Sequence, residues 1–394
     1  MKRVIVALVA VLAASFSLAD ELPKTAGIKC GPWVVGVGEN EMTIVWTSTS
    51  RCMGWIEVAP DDGTSFYAQE RPRYYEDLLG RHVVSEVHHV HLTNLKPGTV
   101  YRYRLFQQCI DDRGHSPIPL GRVTASDVYS RSPFAVRTLD KSKEELSFVM
   151  INDIHGRDSI MHAHTKDIKS TNPDFVVFNG DMASFMGSIA DIEKDFMTRA
   201  SKNFSADFPL VYVRGNHEAR GPGYHEFLNL FPTSTGTPSQ MFVHGPAAFL
   251  VLDCGEDKPD SDIEYGGTAA YDAYREQMAQ WLKQTVASEE FKAASVKIVL
   301  MHIPFENKSG WWGNNELKRL LLPILNEADV DAMLCGHNHS YSFRKKGSMD
   351  GVEFPILVNS HNDRVEVKVN KSEIRMNVKD ATGNLLHEHV IKVE

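Results

Sequence analysis

The chain has 394 residues, 42% hydrophobic and 24% charged, with a formal net charge of −9 at pH 7. That is long enough for two packed domains and ordinary for a globular protein, and it argues against general nucleic-acid binding, because no basic stripe offsets phosphate repulsion. A small phosphorylated molecule stays compatible, since bound divalent cations dominate the local field wherever they sit.

Lys2 and Arg3 open the chain, the apolar run Val4 to Ala14 follows, and Ser17-Leu18-Ala19 supplies small residues before Asp20. The run is short for a membrane span, so the pattern predicts a signal peptide over 1–19, with an uncleaved anchor as the alternative. Cleavage near Ala19 removes Lys2 and Arg3 and takes the net charge from −9 to −11. No later stretch is apolar enough for a second span, so the expectation is an exported, periplasmic or secreted chain without a stable membrane span. Cys30, Cys52 and Cys109 lie in the N-terminal third, where an oxidising compartment would permit a bridge. Cys254 and Cys335 end apolar runs and read as core residues, and the odd count leaves at least one free thiol.

From Gly31 to about Thr138 short strands alternate with turns. Met42 to Thr47 puts Ile44 and Trp46 on one face; Gly54 to Ala59 is a second strand, closed by Pro60-Asp61-Asp62-Gly63. His88 to Leu92 and Thr99 to Phe106 follow, with Tyr101, Tyr103 and Leu105 sharing a face opposite Arg102 and Arg104. Strands at this spacing predict a β-sandwich. His89 and His91 share a strand face, but no carboxylate or cysteine partner is recognisable, so His82, His88, His89 and His91 are expected on a solvated face. The stretch Leu95-Lys96-Pro97-Gly98-Thr99-Val100-Tyr101 resembles the late-strand turn of fibronectin type III modules, with Tyr101 at the place of their corner tyrosine. Gly31-Pro32-Trp33 followed by Met42-Thr43-Ile44-Val45-Trp46 resembles the N-terminal domain of purple acid phosphatases. The resemblance implies a fibronectin type III-like sandwich over 20–140.

The second part, 141–394, reads as α/β. Leu146 to Ile151 is a buried strand ending at Asn152-Asp153-Ile154-His155-Gly156; a helix over about Ile160 to Lys169 leads to Phe175 to Phe178 and then Asn179-Gly180-Asp181. Strand, helix and strand at this length make a βαβ unit, so the two strands are parallel neighbours and Asp153, His155 and Asp181 meet at their carboxyl ends. A helical stretch, Ile189 to Lys202, leads to Leu210 to Val213 and then Arg214-Gly215-Asn216-His217-Glu218, where the glycine is expected to let the backbone turn. Val296 to Met301 ends at His302, and after a helix over about Asn315 to Glu327, Ala332 to Cys335 ends at Gly336-His337-Asn338-His339. Strands from Phe354 onward are expected to complete the second sheet. His162 and His164 begin a helix and are expected to face solvent.

The order Asp-x-His, Gly-Asp, Gly-Asn-His-Glu, His, Gly-His-x-His resembles the signature of the calcineurin-like metallophosphoesterases, from about residue 146 to at least 345. The resemblance implies an α+β two-domain protein whose second domain is a four-layer α/β/β/α fold with two metal ions. One metal would be held by Asp153, His155, Asp181 and His339, the other by Asp181, Asn216, His302 and His337, with Asp181 bridging. Oxygen and imidazole donors without thiolate suit Fe, Mn, Zn, Ni or Mg. The implied reaction is hydrolysis of phosphate monoesters by a metal-bridging hydroxide, with Asp181 and His217 catalytic and His217 serving as general acid or phosphate donor. Asn216, His217, Arg157 and Arg220 are the candidate substrate contacts, and Glu218 is expected to orient His217 or a turn. Purple acid phosphatases carry a tyrosine where Ser184 stands here and lack the histidine at position 155, so no iron–tyrosinate and no purple colour are expected. Trp311 and Trp312 are candidates for the mouth of the site. The alternatives are a phosphodiesterase or nucleotide hydrolase on the same residues, and a surface-binding protein whose phosphatase domain is degenerate.

Overall fold

The computed structural model describes residues 24–111, 114, 116–127, 129–305 and 310–393; the expected leader lies outside them. The N-terminal β-rich domain is organised by one long strand, Met42–Pro60. The sequence pattern splits this stretch into two strands, but the chain stays extended and changes partners at an irregularity between Thr47 and Cys52. Its first half pairs with Ile28–Val35 and Val84–Leu92, its second with Val100–Ile110. Switching partners at a bulge lets one strand serve both faces of a folded sheet. Met42, Ile44 and Trp46 from the first half thereby meet Ile56, Val58, Tyr103 and Leu105 in one buried cluster. The Tyr101 hydroxyl accepts the Lys96 N–H at 2.8 Å, the contact expected of a corner tyrosine.

The histidines of Val84–Leu92 correct one expectation. Strand alternation turns His88 inward, 2% exposed, with its ring stacked on Trp46 at 4.8 Å and Nε2 3.1 Å from Ser48 Oγ. His89 and His91 do share the other face, but each has a carboxylate partner, Glu76 at 3.2 Å and Glu41 at 3.3 Å. Burial pushes His88 down from 6.5 to about 4. A histidine held neutral in the fold contributes stability that is fully present above its unfolded pKa and is lost as pH falls through the folded one. Acid unfolding followed by tryptophan fluorescence should therefore weaken the domain between pH 6.5 and about 4, by roughly 3 kcal/mol at most. His88→Gln, which cannot titrate, should flatten that dependence; an unchanged profile would remove His88 as its source.

Beyond Glu145 the chain builds two six-stranded sheets. Glu145–Ile151, Phe175–Asn179 and Leu210–Val213 are parallel neighbours, as the βαβ order requires. Ala247–Leu252, Val296–Met301 and Ala332–Cys335 run parallel in the second sheet. Phe148, Met150 and Phe175 from one sheet pack on Phe249, Ile298 and Leu334 from the other. Helices Asp158–Thr165 and Thr198–Asn203 cover the first sheet, and Tyr271–Val286 and Trp312–Glu327 the second. The result is the four-layer α/β/β/α arrangement. Tyr271–Val286 escapes the sequence pattern because its buried face carries Arg275, which donates to the carbonyls of Cys254 and Glu256 instead of showing an apolar position. His164, expected in solvent, is 1% exposed, whereas His162 is exposed.

The C-terminal strands correct a further expectation. Arg364–Asn370, Glu373–Lys379 and Leu385–Lys392 extend the first sheet, and Ile356–Val358 joins the second. Alternation tells which residues face inward, and Val365, Val367 and Val369 do fill the layer between the sheets, but it does not name the partner strand. The two domains share a continuous apolar cluster in which Trp33 and Val45 meet Phe196, Phe204 and Phe231. Trp33 Nε1 donates to Leu230 O at 2.7 Å and the Tyr103 hydroxyl to Ala206 O at 2.6 Å, so the N-terminal domain is docked through its core rather than tethered. All five cysteines are buried and free.

Candidate metal centre

Parallel strands bring their carboxyl ends to one edge, and the residues just beyond those ends converge there. Among the described residues three groups form: Asp153, His155 and His339; His155, Asp181 and His217; and Asp181, His302 and His337. In the first, His339 Nε2 lies 3.2 Å from Asp153 Oδ1 and 3.1 Å from His155 Nε2. In the last, His302 Nε2 is 3.1 Å from Asp181 Oδ2, and nearby Asn216 Oδ1 is 3.0 Å from His337 Nδ1. Asp181 belongs to two of the three groups, so it stands between them. Asp153, His155, Asp181, His337 and His339 all have left-handed backbones, φ between 49° and 70°. Each costs on the order of 1 kcal/mol, a strain that the surrounding loops must hold in place.

The electrostatics suit a cation. Burial opposes the ionisation of Asp153 and Asp181, yet the adjacent His302 ring, together with His339 and Asn152 around Asp153 and with His217 beside Asp181, holds both below the usual carboxylate range. Burial would lower His302, but Asp181 and Asp153 raise it to about 10. Burial pushes His155 and His337 down to about 4, which keeps both rings neutral, the form that ligates metal. Asp153 Oδ1 and His302 Nε2 are buried, and their close contacts to His339 at 3.2 Å and Asp181 at 3.1 Å lack hydrogen-bond geometry, which leaves both atoms unpaired. Unpaired buried polar atoms are rare and costly, and here they lie among donors of the right kind for divalent or trivalent ions.

Two residues hold the loops together. Glu218 is fully buried and accepts N–H bonds from Asp181 and Met182 at 2.8 Å, Gly215 at 2.9 Å and Ala183 at 3.3 Å, plus the Tyr212 hydroxyl at 3.0 Å. It ties the Gly-Asp loop to the Gly-Asn-His loop and makes no bond to the His217 ring. Gly215 is needed for space rather than for its turn: a Cβ there would fall 2.3 Å from Asp181 Oδ1.

Residues 146–341 match the family model for calcineurin-like phosphoesterases. That stretch of the chain is a calcineurin-like phosphoesterase domain. Purple acid phosphatase 21 of Arabidopsis thaliana is 22% identical over 276 residues, 65% of this chain and 53% of the relative. Purple acid phosphatase 15 of the same plant is 21% identical over 291 residues, 68% of this chain and 51% of the relative. The chain thus spans about half the length of these curated relatives. The solved purple acid phosphatase PPD1 from yellow lupin (Lupinus luteus) seeds superposes with a TM-score of 0.66 at 14% identity, covering 94% of this chain and 75% of that one, a likeness of fold.

In this domain the candidate substrate contacts divide. His217 donates Nδ1–H to Ser184 O at 2.8 Å and turns Nε2 toward Arg220 Nη1 at 3.1 Å and Asp181 Oδ2 at 3.8 Å. Arg220 grips the buried Glu256 with Nε at 2.5 Å and Nη2 at 2.9 Å. Arg157 directs its donors at the carbonyls of Asp153, Ile154 and His361 and at Asn362 Oδ1, bracing the first motif against the loop after Ile356–Val358. Ser184 Oγ lies 3.4 Å from His155 Nδ1. Trp311 meets the His337 ring edge-on at 5.4 Å, while Trp312 donates to Asp272 at 2.8 Å. Sequence reasoning passes over His361, whose ring is 5.0 Å from His339; the available signal was another apolar strand ending in Asn359-Ser360-His361. Glu218's amide cage had no such signal, because its donors come from two loops.

Proposed function

We propose that this chain is an exported dinuclear metal-dependent phosphoesterase that hydrolyses phosphate monoesters. The observation that carries the reading is that Asp181 groups with His155 on one side and with His302 and His337 on the other, while His155 groups in turn with Asp153 and His339. Asp153, His155, Asp181 and His339 would hold one ion, and Asp181, Asn216, His302 and His337 the other. Two cations there supply Lewis acidity at the phosphoryl oxygens and an acidified water near neutral pH. The chain's own residues do the rest. Asn216 offers its carboxamide N–H to a phosphoryl oxygen. Ser184 O anchors Nδ1 of His217, so that a protonated ring presents Nε2–H to the departing oxygen and a neutral one accepts from Arg220. Arg220, held flat by Glu256, adds a cationic donor beside that nitrogen. Export is supported by the Lys2 to Ala19 pattern, and among the described residues no helix is long and apolar enough to cross a membrane.

A panel of metals against a monoester, a diester and a nucleotide tests this reading. Monoester turnover that needs about two equivalents of metal is the expected result, and binding of fewer than two with no turnover on any ester would favour the degenerate-domain alternative. Iron loading adds a second check. With Ser184 in the tyrosine's place, the loaded protein should lack an intense visible charge-transfer band, and a purple sample would overturn the assignment of that position.

A further inference from the structure

We propose that the cleft beside His217 is the leaving-group site and that it is shaped for an uncharged aromatic ring; this rests on the phosphoesterase reading above. The cleft has a volume of about 760 Å³ and is lined by Phe185, Tyr224, Tyr265, Tyr271 and Arg220. That is the size range of pockets that enclose a small organic group. Its link to the chemistry runs through Arg220. Arg220 is in its wall and places Nη1 3.1 Å from His217 Nε2, the nitrogen that faces the departing oxygen. Phe185 follows Ser184, whose carbonyl fixes the His217 ring.

The lining favours a flat apolar ligand. Phe185 is 52% exposed and Tyr224 54% exposed, large aromatic surfaces left open to solvent next to a catalytic centre. Tyr265 and Tyr271 meet edge-to-face at 5.8 Å behind them, and Tyr271 and Tyr274 are pinned by hydroxyl bonds to Ala219 O at 3.3 Å and Asp253 Oδ2 at 2.6 Å. Phe185 is held by contact: a Cβ at Gly221, φ +96°, would fall 2.8 Å from its Cε1 and 2.5 Å from Met186 O. The two carboxylates of the cleft are already paired, Glu256 with Arg220 and Glu264 with Lys258, so the cleft presents no unmatched charge to draw in a cationic group. Exposed aromatic side chains over braced tyrosines, with the carboxylates of the lining already paired, recognise an aryl ester.

The test compares the metal-loaded wild type with Tyr224→Ala and Phe185→Leu on 2-naphthyl phosphate and glycerol phosphate. Naphthol is the better leaving group in any enzyme, so the readout is the change in the ratio of kcat/KM values between variants, carried by KM. That ratio should fall about tenfold in each variant, the scale of one lost aromatic contact. A ratio unchanged in both would overturn the proposal. If no ester is turned over by the wild type, the phosphoesterase reading fails, and calorimetric binding of naphthylmethylphosphonate against methylphosphonate still decides the cleft. Roughly tenfold tighter binding of the aryl compound, lost in Tyr224→Ala, supports an aromatic site, and equal affinities sink it.

Discussion

Asp181→Asn should lower monoester turnover by about a thousandfold or more at saturating metal. The carboxylate stands between both donor groups, with His302 Nε2 3.1 Å and His155 Nε2 4.0 Å from Oδ2. An amide keeps the shape and can still accept the His217 N–H that Oδ1 takes at 2.9 Å, so the loop should stay folded. It removes the charge that would bridge two cations, and metal content should fall from two equivalents toward one or none. Circular dichroism, metal analysis and turnover together check this. A variant that keeps two metals and wild-type turnover would refute the placement of Asp181 at the centre.

Glu218→Ala should be among the most destabilising single changes in the chain, by about 3–5 kcal/mol. It leaves four amide donors and the Tyr212 hydroxyl facing a buried gap. Burial and the nearby Asp181 carboxylate raise the pKa of Glu218, against the pull of those donors. Glu218→Gln should be milder, since it retains one acceptor oxygen while turning an N–H₂ toward some of the same amides. Thermal unfolding should show the alanine variant melting roughly 5 °C lower, with weaker metal retention because both motif loops loosen. Equal melting temperatures would mean that the loops are held by something other than this cage.

Both residues belong to motifs visible in the sequence, Gly180-Asp181 and Gly215-Asn216-His217-Glu218, yet they were legible to different degrees. Asp181 follows an apolar strand and a glycine, and the βαβ order alone sets it beside Asp153 and His155, since parallel neighbours share a carboxyl edge. The convergence of Asn216, His302, His337 and His339 on the same edge was legible for the same reason: each lies just beyond the carboxyl end of an apolar strand. Glu218 was visible as a residue and not as a cage, because its partners lie on another loop and only the folded backbone brings them together.

By itself the sequence determined the strand ends, their chemistry and the order in which they occur, because hydrophobic period and turn chemistry are local properties. It also identified the Tyr101 corner and the division into a β-rich part and an α/β part. Only the tertiary structure decided which sheet receives the last three strands, that Met42–Pro60 runs unbroken between two sets of partners, and that His88 and His164 are buried. Pairing partners and burial depend on contacts between residues far apart in the chain, and no window of sequence contains them. The same is true of the cleft beside His217: Phe185, Tyr224 and Tyr271 lie on separate segments and become one surface only when the loops close around Gly221.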